Sequence, residues 1–207
     1  MSAPAGPDTA PPDAALAALI AREVDAQVSA RLGALEETVR SLQGARAIGA
    51  GPEERTSIIV MSGDFDRLFA AFTIAMGSLA MGMEVSMYFT FWGLTALKKA
   101  TILEGKTLPE KMVAMMLPGG IESVPTSRMN MGGIGPKFFQ HLMRARNVES
   151  LPDMRDMALE MGAKMVACEM SMNVMGLTRA ELLDGLAYGG VATYLEDAAK
   201  AKITLFI

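Results

Sequence analysis

The feature that most constrains this chain is an alternation of short apolar runs with helix-length stretches from about residue 57 to the C-terminus. Ser57 to Met61 (SIIVM), Glu84 to Thr90 (EVSMYFT), Met112 to Leu117, Lys164 to Cys168 (KMVAC) and Lys202 to Ile207 each have the length and composition of a buried strand. Between them, Asp66 to Met81 is apolar on most faces, and helices are expected at about 94–103, 137–146, 152–161 and 178–187. Val191 to Tyr194 suits a helix start or a short strand, and residues 121–135 a glycine-containing loop. Continuous apolar strands alternating with helices imply an α/β fold, a parallel sheet covered on both faces.

Upstream the pattern differs. Residues 1–12 are rich in Pro and Ala and read as a disordered tail. Over 13–46, Leu16, Ile20, Val24, Val28, Leu32, Leu35, Val39 and Leu42 lay one apolar stripe along an amphipathic helix, with Asp13 placed to cap its start and Gly44 just past its end. The stripe needs a partner surface: another copy, another protein or the chain's own domain. Residues 47–55 read as a linker, leaving 56–207 as the α/β domain.

In a parallel sheet, reactive groups collect beyond the carboxyl ends of the strands. Four loops are expected there, 63–66, 90–93, 118–120 and 169–172, and Cys168 closes the strand before the last of them. It is the only cysteine among 207 residues, which excludes an internal disulfide, a CxxC pair and a cysteine-built zinc site. Chemistry at this thiol therefore needs a second molecule. A helix starting directly after it would favour the thiolate, the nucleophilic form. The bland alternative is a small buried hydrophobe. Glu169 opposes a thiolate if it turns inward and is expected to turn away.

Other candidates lie near the same edge. Asp64, with Asp66, suits turn and cap chemistry, and Asp64 could also orient a ligand. Trp92 is expected packed under the crevice. Asn130, Gly132 and Gly133 sit in a loop whose glycines permit close backbone approach to an anionic sulfur. The chain has 19 methionines, all but the first within the domain. Met170, Met172 and Met175 follow Cys168 closely, giving either an apolar mouth around the thiol or soft ligands for Cu(I). The first reading is the more economical, and no cofactor or metal is expected. His141, beside Arg144 and Arg146, reads as a solvated residue.

A net charge of −4 with no basic run argues against a nucleic-acid partner. The N-terminus shows no secretory pattern, and the longest apolar stretch, Leu68 to Met83, is short for a membrane span and holds Gly77, Ser78 and Gly82. The setting expected is cytoplasmic, with membrane-surface contact not expected. No GxGxxG or P-loop pattern is present.

The runs SGDFDRLFAAFTIAMGSLAMGMEVSMYFTFWGL, MNMGGIGPKFF and ACEMSMNVMGLTRAELLDGLAYGGVATYLEDA resemble the DsrE/DsrF/DsrH-like sulfur-carrier family, in its Met-rich branch linked to sulfur oxidation. The resemblance covers about 55–207 and leaves the N-terminal helix outside. It implies a flavodoxin-like three-layer α/β/α sandwich that forms homo-oligomers. It further implies a sulfurtransferase-type activity in which Cys168 accepts sulfane sulfur as a persulfide and hands it to partners of the TusA or rhodanese type. With a single cysteine, a mechanism that needs an intramolecular resolving thiol does not apply. Two readings from other classes stand beside it: a non-catalytic module binding a small ligand or Cu(I), and a structural subunit docking through the N-terminal helix.

Overall fold

β1 (Glu53–Val60) carries Ile58 and Val60 with no exposed surface and occupies an inner place in a five-stranded sheet of order β4-β3-β2-β1-β5. The other strands are β2 (Glu84–Phe89), β3 (Lys164–Cys168), β4 (Ala187–Gly189) and β5 (Ala201–Phe206). Every pairing in the sheet is parallel. These positions come from a computed structural model that describes residues 12–48 and 53–207. The chain separates into two compact units, the second being Pro52–Ile207.

The order of the strands decides which helix covers which face. From β1 to β4 the chain steps across the sheet in one direction, and from β4 it returns to the far side of β1. Right-handed crossovers place connections that run in opposite directions on opposite faces. The early connections contain α2 (Phe65–Ala80), α3 (Leu108–Met116), α4 (Ile134–Ala145), α5 (Leu151–Glu160) and α6 (Glu169–Met175). The last contains α7 (Val191–Lys200). The main core accordingly joins Phe72, Ala75, Met154, Ala158, Met172 and Met175 to Met87, Phe89, Met165 and Ala167 of the strands. Alternate strand residues point the other way, and a smaller cluster of Tyr88, Val166 and Cys168 packs against Ala187 and Tyr194. The three-layer α/β/α sandwich is thus asymmetric, with α7 alone over the second face among the elements of this unit.

α7 is anchored at its far end. Asp197, 5% exposed, accepts from Arg55 at 2.7 Å, Ser86 at 2.8 Å and Lys164 at 2.8 Å, all from the strands beneath. A second buried pair, Lys106 with Glu181, ties together the loops after β2 and α6: Glu181 accepts from the Lys106 ammonium at 2.7 and 2.8 Å and from the Ile102 and Thr178 amides.

Three sequence expectations need correction. Met112 to Leu117 is no strand: it belongs to α3, whose start is fixed by a capping box between Thr107 and Glu110 and by Pro109. A short run of Met and Leu has no period that separates strand from helix. Consequently the 118–120 loop does not follow a strand end. The stretch 178–187 is a single 3-10 turn, Arg179–Glu181, running out to β4, because Glu181 turns inward to Lys106. The expected helix after β2 is a 3-10 turn, Phe91–Leu97, which ends where Lys98 bridges Leu182. That turn lies tight against β1: a Cβ on Gly93 would stand 2.1 Å from the Val60 carbonyl oxygen.

The N-terminal unit contains α1 (Pro12–Ile48), which runs through Gly44. Leu16, Ile20, Val24, Val28, Leu32 and Leu35 of its stripe are exposed; the side chains of Val39 and Leu42 lie outside the described residues, as do residues 1–11 of the expected tail 1–12, whose last residue, Pro12, begins α1. No helix among the described residues is long and apolar enough to cross a membrane.

Candidate functional site

Cys168 ends β3 and is the N-cap residue of α6, so the strand-to-helix junction read from the sequence is present. The residue is 2% exposed and lies on the α7 face of the sheet. Register brings its surroundings together. Tyr88 pairs with Val166 and Phe89 with Ala167, so Thr90 follows alongside Cys168 on the neighbouring chain segment. Ser171 stands one helical turn on, and its hydroxyl meets that of Thr90 at 2.7 Å. Three hydroxyl groups thus surround one sulfur.

Their effect on the thiol is directional. Burial pushes the Cys168 pKa up and is the largest single influence. Hydrogen bonding from the Ser171 hydroxyl, the Tyr88 hydroxyl, the Ser171 amide and the Thr90 hydroxyl together outweighs it, and the thiol titrates below its ordinary value. Burial and the neighbouring sulfur push Tyr88 the other way, far above the ordinary phenol range. Tyr88 therefore keeps its proton and acts as a donor. Glu169 turns outward, as expected, and pairs with Arg179 at 2.7 Å. The Arg179 guanidinium in turn stacks 4.2 Å over the Tyr188 ring. The added negative charge is neutralised away from the sulfur.

The remaining candidates disperse. Asp64 takes the N-cap position of α2 without capping it; its carboxylate accepts from the Ser62 hydroxyl at 3.0 Å. Trp92 is 55% exposed, not packed under the crevice, because Gly93 presses the turn onto β1 and leaves the indole outside. Asp64 and Trp92 do share a cleft of about 290 Å³ with Thr95 and Pro118, but Cys168 does not line it. Gly132 and Gly133 have φ of 68° and 91°, so they serve a turn; open space surrounds the Cβ position of each. The Gly133 amide is spent on the Asn130 carbonyl at 2.8 Å, which removes it as a free anion donor.

The methionine mouth also divides. Met170 is exposed, whereas Met172 and Met175 are 4% exposed and sit in the main core, on the face away from Cys168. Three side chains at these spacings on one short helix project in different directions. They make neither one rim nor one ligand set with Cys168. What the sequence reading missed are Tyr88, Thr90, Ser171 and Tyr194. Their signal was weak: Ser171 is at the position whose amide an N-cap residue faces, and Tyr88 becomes a neighbour only once β2 is paired with β3.

The model of the DsrE/DsrF/DrsH-like family matches residues 52–206. The chain belongs to this family. Among similar proteins, an uncharacterised protein of Bacillus subtilis, YrkE, is 44% identical over 155 residues, which is 74% of this chain and 97% of that one. The sulfur carrier protein DsrE2 of Allochromatium vinosum is 30% identical over 159 residues, 75% of this chain and 99% of that one. The crystal structure of the ychN protein from E. coli aligns with a TM-score of 0.43 at 12% identity, over 75% of this chain and 99% of that one. For this DsrE-like chain, the family-matched region is the unit that carries Cys168, and it leaves α1 outside.

Proposed function

We propose that this DsrE-like protein is a sulfur carrier, holding sulfane sulfur as a persulfide on Cys168 and passing it to a partner of the TusA or rhodanese type. The observation that carries the reading is the site itself: the chain's only thiol, at a strand-to-helix junction, lowered in pKa by three hydroxyls and an amide. A thiolate so held is the nucleophile needed to attack sulfane sulfur. The same donors would stabilise the anionic terminal sulfur of a persulfide. Family membership and the name of the DsrE2 relative support a role in sulfur handling. A cytoplasmic setting and a homo-oligomeric assembly belong to the same proposal.

The step balances without an external oxidant. The Cys168 thiolate forms an S–S bond to a sulfur of the donor, the donor's own S–S bond breaks, and the electron pair leaves on the departing sulfur. Transfer onward is the same displacement by an acceptor thiolate. Intact-mass measurement after incubation with inorganic polysulfide tests the reading. The parent should gain whole sulfur atoms and the Cys168→Ser variant none; equal loading of the two overturns it.

A further inference from the structure

A sulfur that is 2% exposed must be reached by its donor, and the cover over Cys168 has a definite construction. On one side stand the Thr90 and Ser171 hydroxyls, bonded to each other at 2.7 Å. On the α7 side the Tyr88 and Tyr194 rings lie 5.8 Å apart at 43°, and Tyr194 packs against the cluster that holds the sulfur. Tyr88 belongs to the sheet and is buried; Tyr194 is only partly buried. Of the two rings, Tyr194 is thus the one that reaches solvent.

Its position is set from both ends of α7. β4 pairs Gly189 with Cys168, and α7 begins two residues later. Gly189 permits this sharp return, since a Cβ there would lie 2.3 Å from the Thr193 hydroxyl. At the other end Asp197 pins the helix to Arg55, Ser86 and Lys164. The ring of Tyr194 is held against the cluster that contains the thiol by a helix anchored elsewhere.

We infer that Tyr194 is a specificity-determining residue that restricts Cys168 to thin inorganic polysulfide donors and slows those whose sulfane sulfur is attached to a bulky thiol. A chain of divalent sulfur is one atom wide and can pass beside an aromatic edge, whereas a peptide thiol requires the first turns of α7 to open, and opening reduces the rate by its equilibrium constant. The inference deepens the carrier reading and rests on it for the identity of the reaction.

The test uses the full chain and two donors, inorganic polysulfide and the persulfide of a small peptide such as glutathione. Each loading rate at Cys168 is divided by the same donor's rate with free cysteine. The parent should favour polysulfide by at least about tenfold, the scale of a modest local opening. Tyr194→Ala should remove most of that preference by speeding the peptide donor, and Tyr194→Phe should retain it, since the ring and not the hydroxyl is the cover. Equal normalised rates in the parent, or a Tyr194→Ala variant that speeds both donors alike, overturn the inference. Should Tyr194→Ala lose its folded circular dichroism, Tyr194→Leu replaces it with the same criterion. Alkylation by iodoacetamide and by a bulky maleimide separates the two proposals. A thiol that takes sulfur from neither donor yet is alkylated size-selectively, with selectivity lost in the Tyr194 variant, defeats the carrier reading and leaves the cover standing. A thiol loaded equally by both donors defeats the cover and leaves the carrier.

Discussion

Tyr88 and Cys168 titrate in opposite directions: burial raises both, but the hydrogen bond between them holds the proton on the phenol and favours the thiolate. The phenol is held far above its ordinary range and the thiol is held below its own, so the sulfur is the first of the two to lose its proton and the phenol remains a donor to it. The arrangement resembles a preformed donor site for a sulfur anion more than the environment of an inert core cysteine.

Replacing Tyr88 with Phe tests that relationship. It keeps the ring against Tyr194 and removes the donor, so the Cys168 pKa should rise. A hydrogen bond to a charged group contributes about 1.5–3 kcal/mol, which corresponds to a loss of about tenfold or more in alkylation rate near neutral pH. The pH dependence of iodoacetamide reaction, followed by intact mass, gives the result; an unmoved profile would show the phenol to be irrelevant to the thiolate.

Met170 and Met172 should separate by stability. Met172→Ala opens the main core and should cost about 2–5 kcal/mol in urea unfolding. Met170→Ala touches an exposed side chain and should stay within about 0.5 kcal/mol. Polysulfide loading should survive both, because Met172 faces the sheet surface opposite Cys168.

The Lys106–Glu181 pair is buried on both sides, with side-chain exposures of 4% and 0%. Glu181→Leu alone leaves an unpaired ammonium in the interior and should destabilise by about 3–5 kcal/mol. Lys106→Met combined with Glu181→Leu should recover much of that loss, as a double-mutant cycle in urea would register.

Acid sensitivity follows from Asp197 and Glu181. Burial raises both carboxyl pKa values, but hydrogen bonding outweighs it. Lys164, Ser86 and Arg55 act at Asp197; Lys106 and the Ile102 and Thr178 amides act at Glu181. Both groups titrate lower folded than unfolded. Their stabilisation is complete above the unfolded values, about pH 4–4.5, and is lost as pH falls through the folded ones. Urea midpoints should be flat near neutrality and decline below about pH 4.5, less steeply for Asp197→Asn.

Much of this was legible in the chain. The SIIVM, EVSMYFT and KMVAC runs each became strands because short, continuous, β-rich segments are what a parallel sheet buries on both faces. Cys168 fell at the junction of β3 and α6 for the same local reason, and Glu169 turned away from it. The 108–116 segment misled because methionine has no strong preference for strand or helix, and the decisive Thr107–Glu110 box lies outside the apolar run.

By itself, then, the sequence determined a parallel α/β unit, a lone thiol at a strand's carboxyl end, and a helix starting after it. These depend on periodicity and neighbours a few residues apart. Only tertiary structure decided that Thr90, Ser171 and Tyr88 would surround the sulfur, that Met172 would leave it for the opposite face, and that Tyr194 would pack against the cluster that holds it. Each of those outcomes depends on the pairing of β2 with β3 and on the direction in which the chain returns from β4 to β5. Pairing and handedness are set by how whole layers bury their apolar surfaces, and no local stretch of residues records them.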